Sequence, residues 1–351
     1  MSAPVTHFLQ RAEVIEGAHV SDREAWLKAR QPLVTASDVA ALFDASPFGD
    51  AYGLYKSKTE PANDDAELSI DDPRFWGGVL EQTILTTVAR YYRWQYQPGG
   101  YLLRSRQHPF LGATLDAEVD RGDGLGWVDL EGKTSKIPQG WNAEEQRLPP
   151  HILIQAQAQL LVTGAPVALV FGLLQGGTPC LVEVPPDEEF HGHIVARAHA
   201  FNRLVQARTP PQPTHKSTDL IRRLYPEDNG EAIVLGDEAV HWTEELRSVE
   251  ADLKALTKRR DALRNCLRNA IGKCRFGILP KPVGNTVLWR SQMQTTEPYM
   301  VAAKTSRPLI TMTRLPWERA ERSGRPLQFR VKIGEGQELV ARYGRRRRSQ
   351  R

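Results

Sequence analysis

The chain has 351 residues, 40% of them hydrophobic and 25% charged, a globular balance with room for one large domain or two ordinary ones. No run of ~18 apolar residues occurs, which argues against a transmembrane helix, and the opening MSAPVTHFLQRAEVIEG lacks the charged-then-apolar order of a secretory leader. Cys180, Cys266 and Cys274 are too few and too scattered for a disulfide framework, so a reducing, cytoplasmic setting is expected.

The formal net charge of +4 hides an asymmetry. Residues 208–215 (RTPPQPTH) hold three prolines in four residues and read as a semi-rigid spacer. Residues 1–215 carry 18 Lys and Arg against 26 Asp and Glu, a net of −8, while residues 216–351 carry 28 against 16, a net of +12. The expected organisation is therefore a domain over 1–207, a linker over 208–217, and a basic C-terminal region over 218–351 that ends in RRRRSQR. A basic surface binds polyanions by releasing counterions from neutralised phosphates. The plainer alternative is a solvated tail that serves solubility.

In chain order, residues 22–31 (DREAWLKARQ) read as a short amphipathic helix, and residues 35–43 as a helix start with Ser37 as its N-cap. Residues 76–96 read as a longer helix, apolar at Val79, Leu80, Ile84, Leu85 and Val88. Strand-like runs follow at 101–105, 111–119 and 127–134. Residues 150–163 read as a helix closed by Gly164, and 168–174 and 179–184 as strands around Gly176-Gly177. This order predicts a mixed α/β core. Beyond the spacer, Leu246, Val249, Leu253, Leu256, Leu263, Leu267 and Ala270 recur at steps of three and four, broken at Arg260. They predict a helix over about 242–271 that packs on its own domain or in a helical hairpin. Strand-like pieces lie at 286–290 and 327–332.

The chemistry-bearing residues are few. Asp116 lies in the apolar segment ATLDA, and Glu131-Gly132-Lys133 in the next strand-like run. Residues two apart on a strand share a face, so Glu131 and Lys133 point together, and Asp116 joins them if the strands are neighbours. Two converging carboxylates require a cation, and an all-oxygen set that includes the Gly132 carbonyl suits Mg²⁺ or Mn²⁺. A lysine beside the metal orients water or stabilises a pentavalent phosphate. The spacing alone also fits an edge strand with ordinary charges. His191, His193 and His199 have some metal-ligand flavour but lie on a polar helix without a cysteine or acidic partner in register.

The ordered set Arg30, TASDVAAL at 35–42, YGLYKSK at 52–58, GVLE at 78–81, HPFLGATLD at 108–116, DLEGKT at 129–134 and PPHILIQAQAQ at 149–159 resembles the YqaJ-type viral recombinases, relatives of lambda exonuclease. The resemblance spans roughly residues 22–200. It implies an α/β restriction-endonuclease-like PD-(D/E)XK core, a mixed sheet flanked by helices, with a C-terminal helical plus β extension here. It also implies that Asp116, Glu131 and Lys133 are catalytic, that Glu81 joins Asp116, Glu131 and the Gly132 carbonyl as metal ligands, and that Gln155 and Gln159 line the site on the DNA side. Arg30 and Ser37 match a pocket for a 5′-phosphate, Ser37 serving equally well as a helix cap, and Lys136 stands where a further basic residue is needed. Gly132 departs from the family's usual apolar residue and is expected to loosen its strand.

The function expected from the resemblance is a Mg²⁺-dependent (or Mn²⁺-dependent) deoxyribonuclease, an exonuclease of a phage-type recombination system acting on double-stranded DNA ends. An endonuclease on the same core, or a non-catalytic DNA-binding protein on a decayed nuclease fold, are the alternatives. Expected partners are DNA and a single-strand annealing protein, with a homo-oligomer possible and no membrane.

The charge asymmetry yields a first prediction. Deleting residues 345–351 should shallow the dependence of log K on log salt for DNA binding, by about 0.9 for each phosphate no longer neutralised. An unchanged slope in a folded deletion would leave the tail as a solubility element.

Overall fold

A computed structural model describes residues 6–60, 69–273, 276–277, 289–290, 327–332 and 338–343. The chain divides into two compact units, Met1–Glu231 and Ala232–Arg351.

In the first unit, β1 (Ala12–His19), β4 (Tyr101–Ser105), β5 (Leu111–Thr114) and β2 (Val34–Thr35) form a four-stranded sheet in the order β1-β4-β5-β2. A five-stranded sheet has the order β3-β6-β7-β8-β9, from β3 (Gln95–Pro98), β6 (Ala117–Asp120), β7 (Trp127–Ser135), β8 (Ala168–Leu174) and β9 (Thr178–Val184). β7 and β8 are parallel and the other neighbours in this sheet antiparallel. It is the mixed α/β architecture expected, a mixed sheet flanked by helices.

The segment 111–120 leaves one sheet and enters the other. β5 pairs with β4, then Leu115 and Asp116 break the ladder, and β6 pairs with β7. The amides of Gly99 and Gly100 fix this break by donating to the carbonyls of Asp116 and Leu115 at 3.1 and 2.9 Å. Asp116 therefore sits at the crossing between sheets.

Helices cover both faces of the five-stranded sheet. From α4 (Pro73–Tyr92), Leu85, Val88 and Ala89 pack on Ala117, Val119, Val128, Leu130 and Leu169. On the other face the core joins α2 (Ala36–Leu42), α5 (Pro150–Thr163) and α6 (Glu188–Gln206) to Ala168, Val170 and Val182. β8 is buried along almost its whole length, as its unbroken apolar run requires. α5 ends at Gly164 in the left-handed conformation, φ 69°, as the sequence implies.

Several local expectations are corrected. The helix expected over 76–96 stops at Tyr92, because Arg93 takes φ 60° and turns the chain into β3. The cap of α2 is Thr35, not Ser37: the Asp38 carboxylate accepts the Thr35 amide at 2.9 Å, which leaves the Ser37 hydroxyl available to other partners. Gly132 does not loosen β7, which pairs with β8 without interruption from Asp129 to Ser135. A Cβ at 132 would lie 3.1 Å from the Leu85 side chain, so glycine lets α4 approach the strand closely. His191 is a core residue whose Nε2 lies 2.8 Å from Gln157 Oε1, and His193 and His199 are exposed.

The first unit also runs past the proline-rich spacer. α3 (Ala51–Thr59) is capped by Asp50, whose carboxylate accepts the Gly53 amide at 2.9 Å, the Thr214 amide at 2.9 Å, and the Thr214 and Ser217 hydroxyls, each at 2.5 Å. Residues 214–217 are thus part of this unit, and α7 (Thr218–Leu224) follows them directly. A truncation meant to spare the unit belongs after Glu231 rather than in the spacer.

In the second unit, α8 (Asp237–Ile271) is the expected long helix, beginning five residues earlier than its apolar seam suggests. No residue of α8 is buried, so the described residues do not supply the packing expected for that seam. Short antiparallel pairs join β10 (Phe276–Gly277) to β11 (Trp289–Arg290) and β12 (Leu327–Lys332) to β13 (Glu338–Tyr343). The basic tail, residues 345–351, lies outside the described residues. No described helix is long and apolar enough to cross a membrane.

The Asp50 cluster sets a second prediction. Burial opposes its charged form, but the Ser217 and Thr214 hydroxyls and the Gly53 and Thr214 amides outweigh burial and hold the carboxyl at about 2. A carboxyl lowered from ~3.9 in the unfolded chain contributes stability in full above about pH 4 and loses it as pH falls toward 2. Asp50→Ala should cost on the order of 2 kcal/mol at neutral pH, with the gap to wild type closing over that acid window in denaturant titrations. Equal stability at pH 7 would show that the cluster holds nothing together.

Candidate active site

β7 carries the centre of the site. Its period-two geometry sends Asp129, Glu131 and Lys133 to one face, the face on which α5 lies. Glu131 is only 2% exposed. Its Oε1 accepts from Gln155 Nε2 at 2.6 Å and from the Lys133 ammonium, and its Oε2 accepts from Gln159 Nε2 at 2.6 Å. Gln155 and Gln159 are four apart on α5 and so stand one above the other on a single helical face. The carboxylate is thereby fixed from three sides. Charge-assisted bonds of this kind are what make a buried carboxylate tolerable.

Asp116 reaches this centre from the crossing between the sheets. Its Oδ2 accepts the Gly132 amide at 2.9 Å, so the part of Gly132 turned to Asp116 is its N–H. Burial first, and then the charge of Glu131, push the Asp116 carboxyl well above the ordinary range, against the pull of Lys133. Glu81, on α4, is raised by burial and by Glu131. Burial would lower Lys133, but Glu131 and Asp116 outweigh it, and the ammonium is held more firmly charged than an ordinary lysine. Lys133 keeps 28% of its side chain exposed, so the cation at this site faces solvent while its partner does not.

Three carboxyl groups thus crowd one ammonium. Among the described residues no three His, Cys, Asp or Glu side chains close into a metal cage, so the four-ligand set expected from Glu81, Asp116, Glu131 and Gly132 is not preformed. The donor chemistry still fits a hard divalent cation: oxygen donors only, with carboxyls that disfavour one another's ionisation until a cation neutralises them. Mg²⁺ in particular binds through one or two carboxylates and keeps its waters. A cavity of about 340 Å³ opens on this centre, walled by Gly77, Gly78, Glu81, Gly132, Lys133 and Phe48 among others.

The remaining expected residues divide. Arg30 and Ser37 come together: Arg30 donates to Thr35 Oγ1 at 2.7 Å, to Ser37 Oγ at 3.2 Å and to Asp38 Oδ1 at 3.2 Å. Asp38 also takes the Lys58 ammonium at 2.7 Å. Burial works against its charge, but Lys58 and Arg30 lower its carboxyl. Gln159 is fully buried, with its Nε2 donating to Glu131 and its Oε1 without a hydrogen-bond partner among the described residues. Lys136 stands exposed one residue beyond β7.

Three neighbours were not singled out by sequence reasoning. His151, at the start of α5, is lowered by burial and by Lys133. Asp129 is completely buried and neither carboxyl oxygen has a hydrogen-bond partner among the described residues. Burial first, and then Glu131 and Glu118, push its carboxyl well above the ordinary range. Glu118, its cross-strand partner, accepts from the Thr6 hydroxyl at 2.5 Å and the His7 amide at 2.9 Å. The alternation of β7 carried a signal for Asp129; nothing local in the sequence pairs Thr6 with Glu118.

Residues 25–166 match the family model described as YqaJ-like viral recombinase domain. No curated protein matches the chain. Among solved structures, the chain is similar to an alkaline exonuclease, LHK-Exo, from Laribacter hongkongensis, at 18% identity and TM-score 0.40 over 57% of this chain and 100% of that one. It is similar to LHK-Exo in complex with dAMP at 19% identity and TM-score 0.41, covering 57% and 97%. Similarity to the structure of SSO0001 is 13% identity and TM-score 0.31, covering 52% and 86%. The matched residues include Arg30, Ser37, Glu81, Asp116, Glu131, Lys133 and the glutamines of α5, so residues 25–166 are similar to a YqaJ-like viral recombinase domain.

Proposed function

We propose that the protein is a metal-dependent deoxyribonuclease, an exonuclease that hydrolyses DNA phosphodiester bonds from double-stranded ends in a phage-type recombination system. The observation that carries this reading is Glu131: a buried carboxylate held by two glutamines and a lysine, with Asp116 and Glu81 crowded beside it. A structural ion pair needs one acid for one base, and this arrangement has three.

In this reading Asp116 and Glu131, with Glu81 beside them, hold Mg²⁺ or Mn²⁺, and the chemistry such a cation supplies is charge neutralisation at the phosphate and activation of water. Lys133, permanently charged and partly exposed, donates to the charge that develops on the phosphate oxygens as water adds to phosphorus and the bridging P–O bond breaks. Gln155 and Gln159 act through Glu131 as positioning residues. Arg30 and Ser37 supply donors that suit a 5′-phosphate.

Two predictions test this. Glu131→Gln should abolish cleavage, and Lys133→Ala should lower its rate by a factor on the order of 10² or more with DNA binding almost unchanged. Both are read on linear 5′-phosphorylated duplex against closed circular DNA, with and without Mg²⁺. Wild-type rates from either variant would remove that residue from the chemistry, and cleavage of circles at the linear rate would make the protein an endonuclease.

Asp116→Asn removes an acid that burial and Glu131 already disfavour, so in chelator this variant should melt at or above the wild-type midpoint. Added Mg²⁺ should raise the wild-type midpoint and not the variant's, since a ligand stabilises only the state that binds it. A wild-type midpoint indifferent to both Mg²⁺ and Mn²⁺ would count against the metal assignment.

A further inference from the structure

Phe48 is 89% exposed, yet its loop is firmly tethered. Its amide donates to Ser46 Oγ at 3.1 Å, and the amides of Ala45 and Ser46 donate to the Ala40 carbonyl at 3.0 and 3.1 Å. Asp50, two residues on, is the buried anchor of residues 214–217. The ring stands edge-on to His151 at the start of α5, with 6.0 Å between centroids. A lone exposed apolar side chain is ordinary; the position of this one is not.

Phe48 lines two cavities. One is the 340 Å³ opening on Glu81 and Lys133. The other, of about 610 Å³, is walled by Ser37, Asp38, Ser57, Lys216 and Arg223 among others. In the first, α4 contributes Gly77 and Gly78, a stretch of helix with no side chains. A Cβ at 78 would meet nothing within 4 Å, and one at 77 only Thr134 Oγ1 at 3.8 Å. The opening therefore has an aromatic ring and bare helix backbone among its walls, a shape that admits a flat ring. In the second cavity the acids are already engaged: Asp38 by Arg30 and Lys58, Asp50 by its four donors, and Asp219 by Arg222. Arg223 adds a cation there.

We infer that Phe48 is a nucleobase-stacking platform. The ring takes the face of the base whose nucleotide has its phosphate at Glu131 and Lys133, Gly77 and Gly78 give that base clearance, and the strand passes Phe48 toward the cavity of Ser37 and Arg223. The proposal rests on the nuclease reading for the identity of the strand. Stacking on an aromatic ring accepts any base, which suits an enzyme that degrades without regard to sequence.

The test uses the full chain as wild type, Phe48→Ala, Phe48→Trp and Gly78→Leu, with 5′-phosphorylated duplexes carrying 2-aminopurine or an abasic site at the end nucleotide. Binding is read by 2-aminopurine fluorescence in chelator, and cleavage separately in Mg²⁺. Wild type and Phe48→Trp should quench 2-aminopurine, and Phe48→Ala should lose the quenching and about tenfold in affinity. Gly78→Leu should lose affinity similarly while melting no lower than wild type, because leucine is the better helix former. The abasic site should cost wild type about tenfold and Phe48→Ala nothing. An equal abasic penalty in both proteins, unchanged affinity in Phe48→Ala, or absent quenching in wild type each overturns the stacking role. Phe48-dependent quenching without any cleavage would uphold stacking and overturn the nuclease reading instead.

Discussion

Burying Glu131 as an anion is the constraint to which the rest of the first unit answers. A carboxylate taken out of water costs several kcal/mol unless its lone pairs are met, and three donors from two elements meet them here. That fixes the register of α5 on β7, because a helix turned by one residue would carry Gln155 and Gln159 off the carboxylate. Glycine at residue 132 goes with the close approach of α4, since a Cβ there would lie 3.1 Å from the Leu85 side chain, which would have to give way. Asp129 completes the pattern. Its burial without hydrogen-bond partners among the described residues, beside Glu131 and Glu118, raises its carboxyl well above the ordinary range.

The same crowding links stability to activity. Burial, and then the neighbouring Glu131, make Glu81 and Asp116 each resist ionisation, so part of that resistance is repulsion stored at the place where a cation is proposed to bind. Sites of this kind trade stability for function. Asp116 holds its place through backbone rather than through packing: the crossing between sheets, with its two carbonyls held by Gly99 and Gly100, leaves the side chain little freedom.

Legibility in the sequence followed how local each cause was. Glu131 and Lys133 were readable because a strand's alternation needs only two residues, and Gly164 because helix ends carry their own chemistry. The pairing of β7 with β8 was not readable, nor was Thr35 as cap in place of Ser37, which turns on where the Asp38 carboxylate folds back. The strand β1 went unrecognised because its register shifts between Val14 and His19 and blurs the alternation. The end of α4 depended on a left-handed Arg93, a residue type with no preference for that conformation. Phe48 lay inside Ser-Pro-Phe-Gly, which reads as a turn, and its neighbours come from α4, β7 and α5, far away in the chain. The proline-rich stretch was read as a spacer from composition alone, although the two hydroxyls and one amide that dock residues 214–217 all converge on one distant aspartate.

That docking has a consequence for the order in which the protein is assembled. Asp50 is made early, but its partners Thr214 and Ser217 are 164 and 167 residues further along. Chains emerge from the ribosome at about 5–20 residues per second, so Asp50 waits on the order of ten seconds or more for the groups that satisfy it. During that interval both sheets can form, while the loop bearing Phe48 lacks its anchor. The wall beside the site is therefore finished late, after every strand of both sheets has been made, and a nascent chain has its acidic centre before it has the anchored loop beside it.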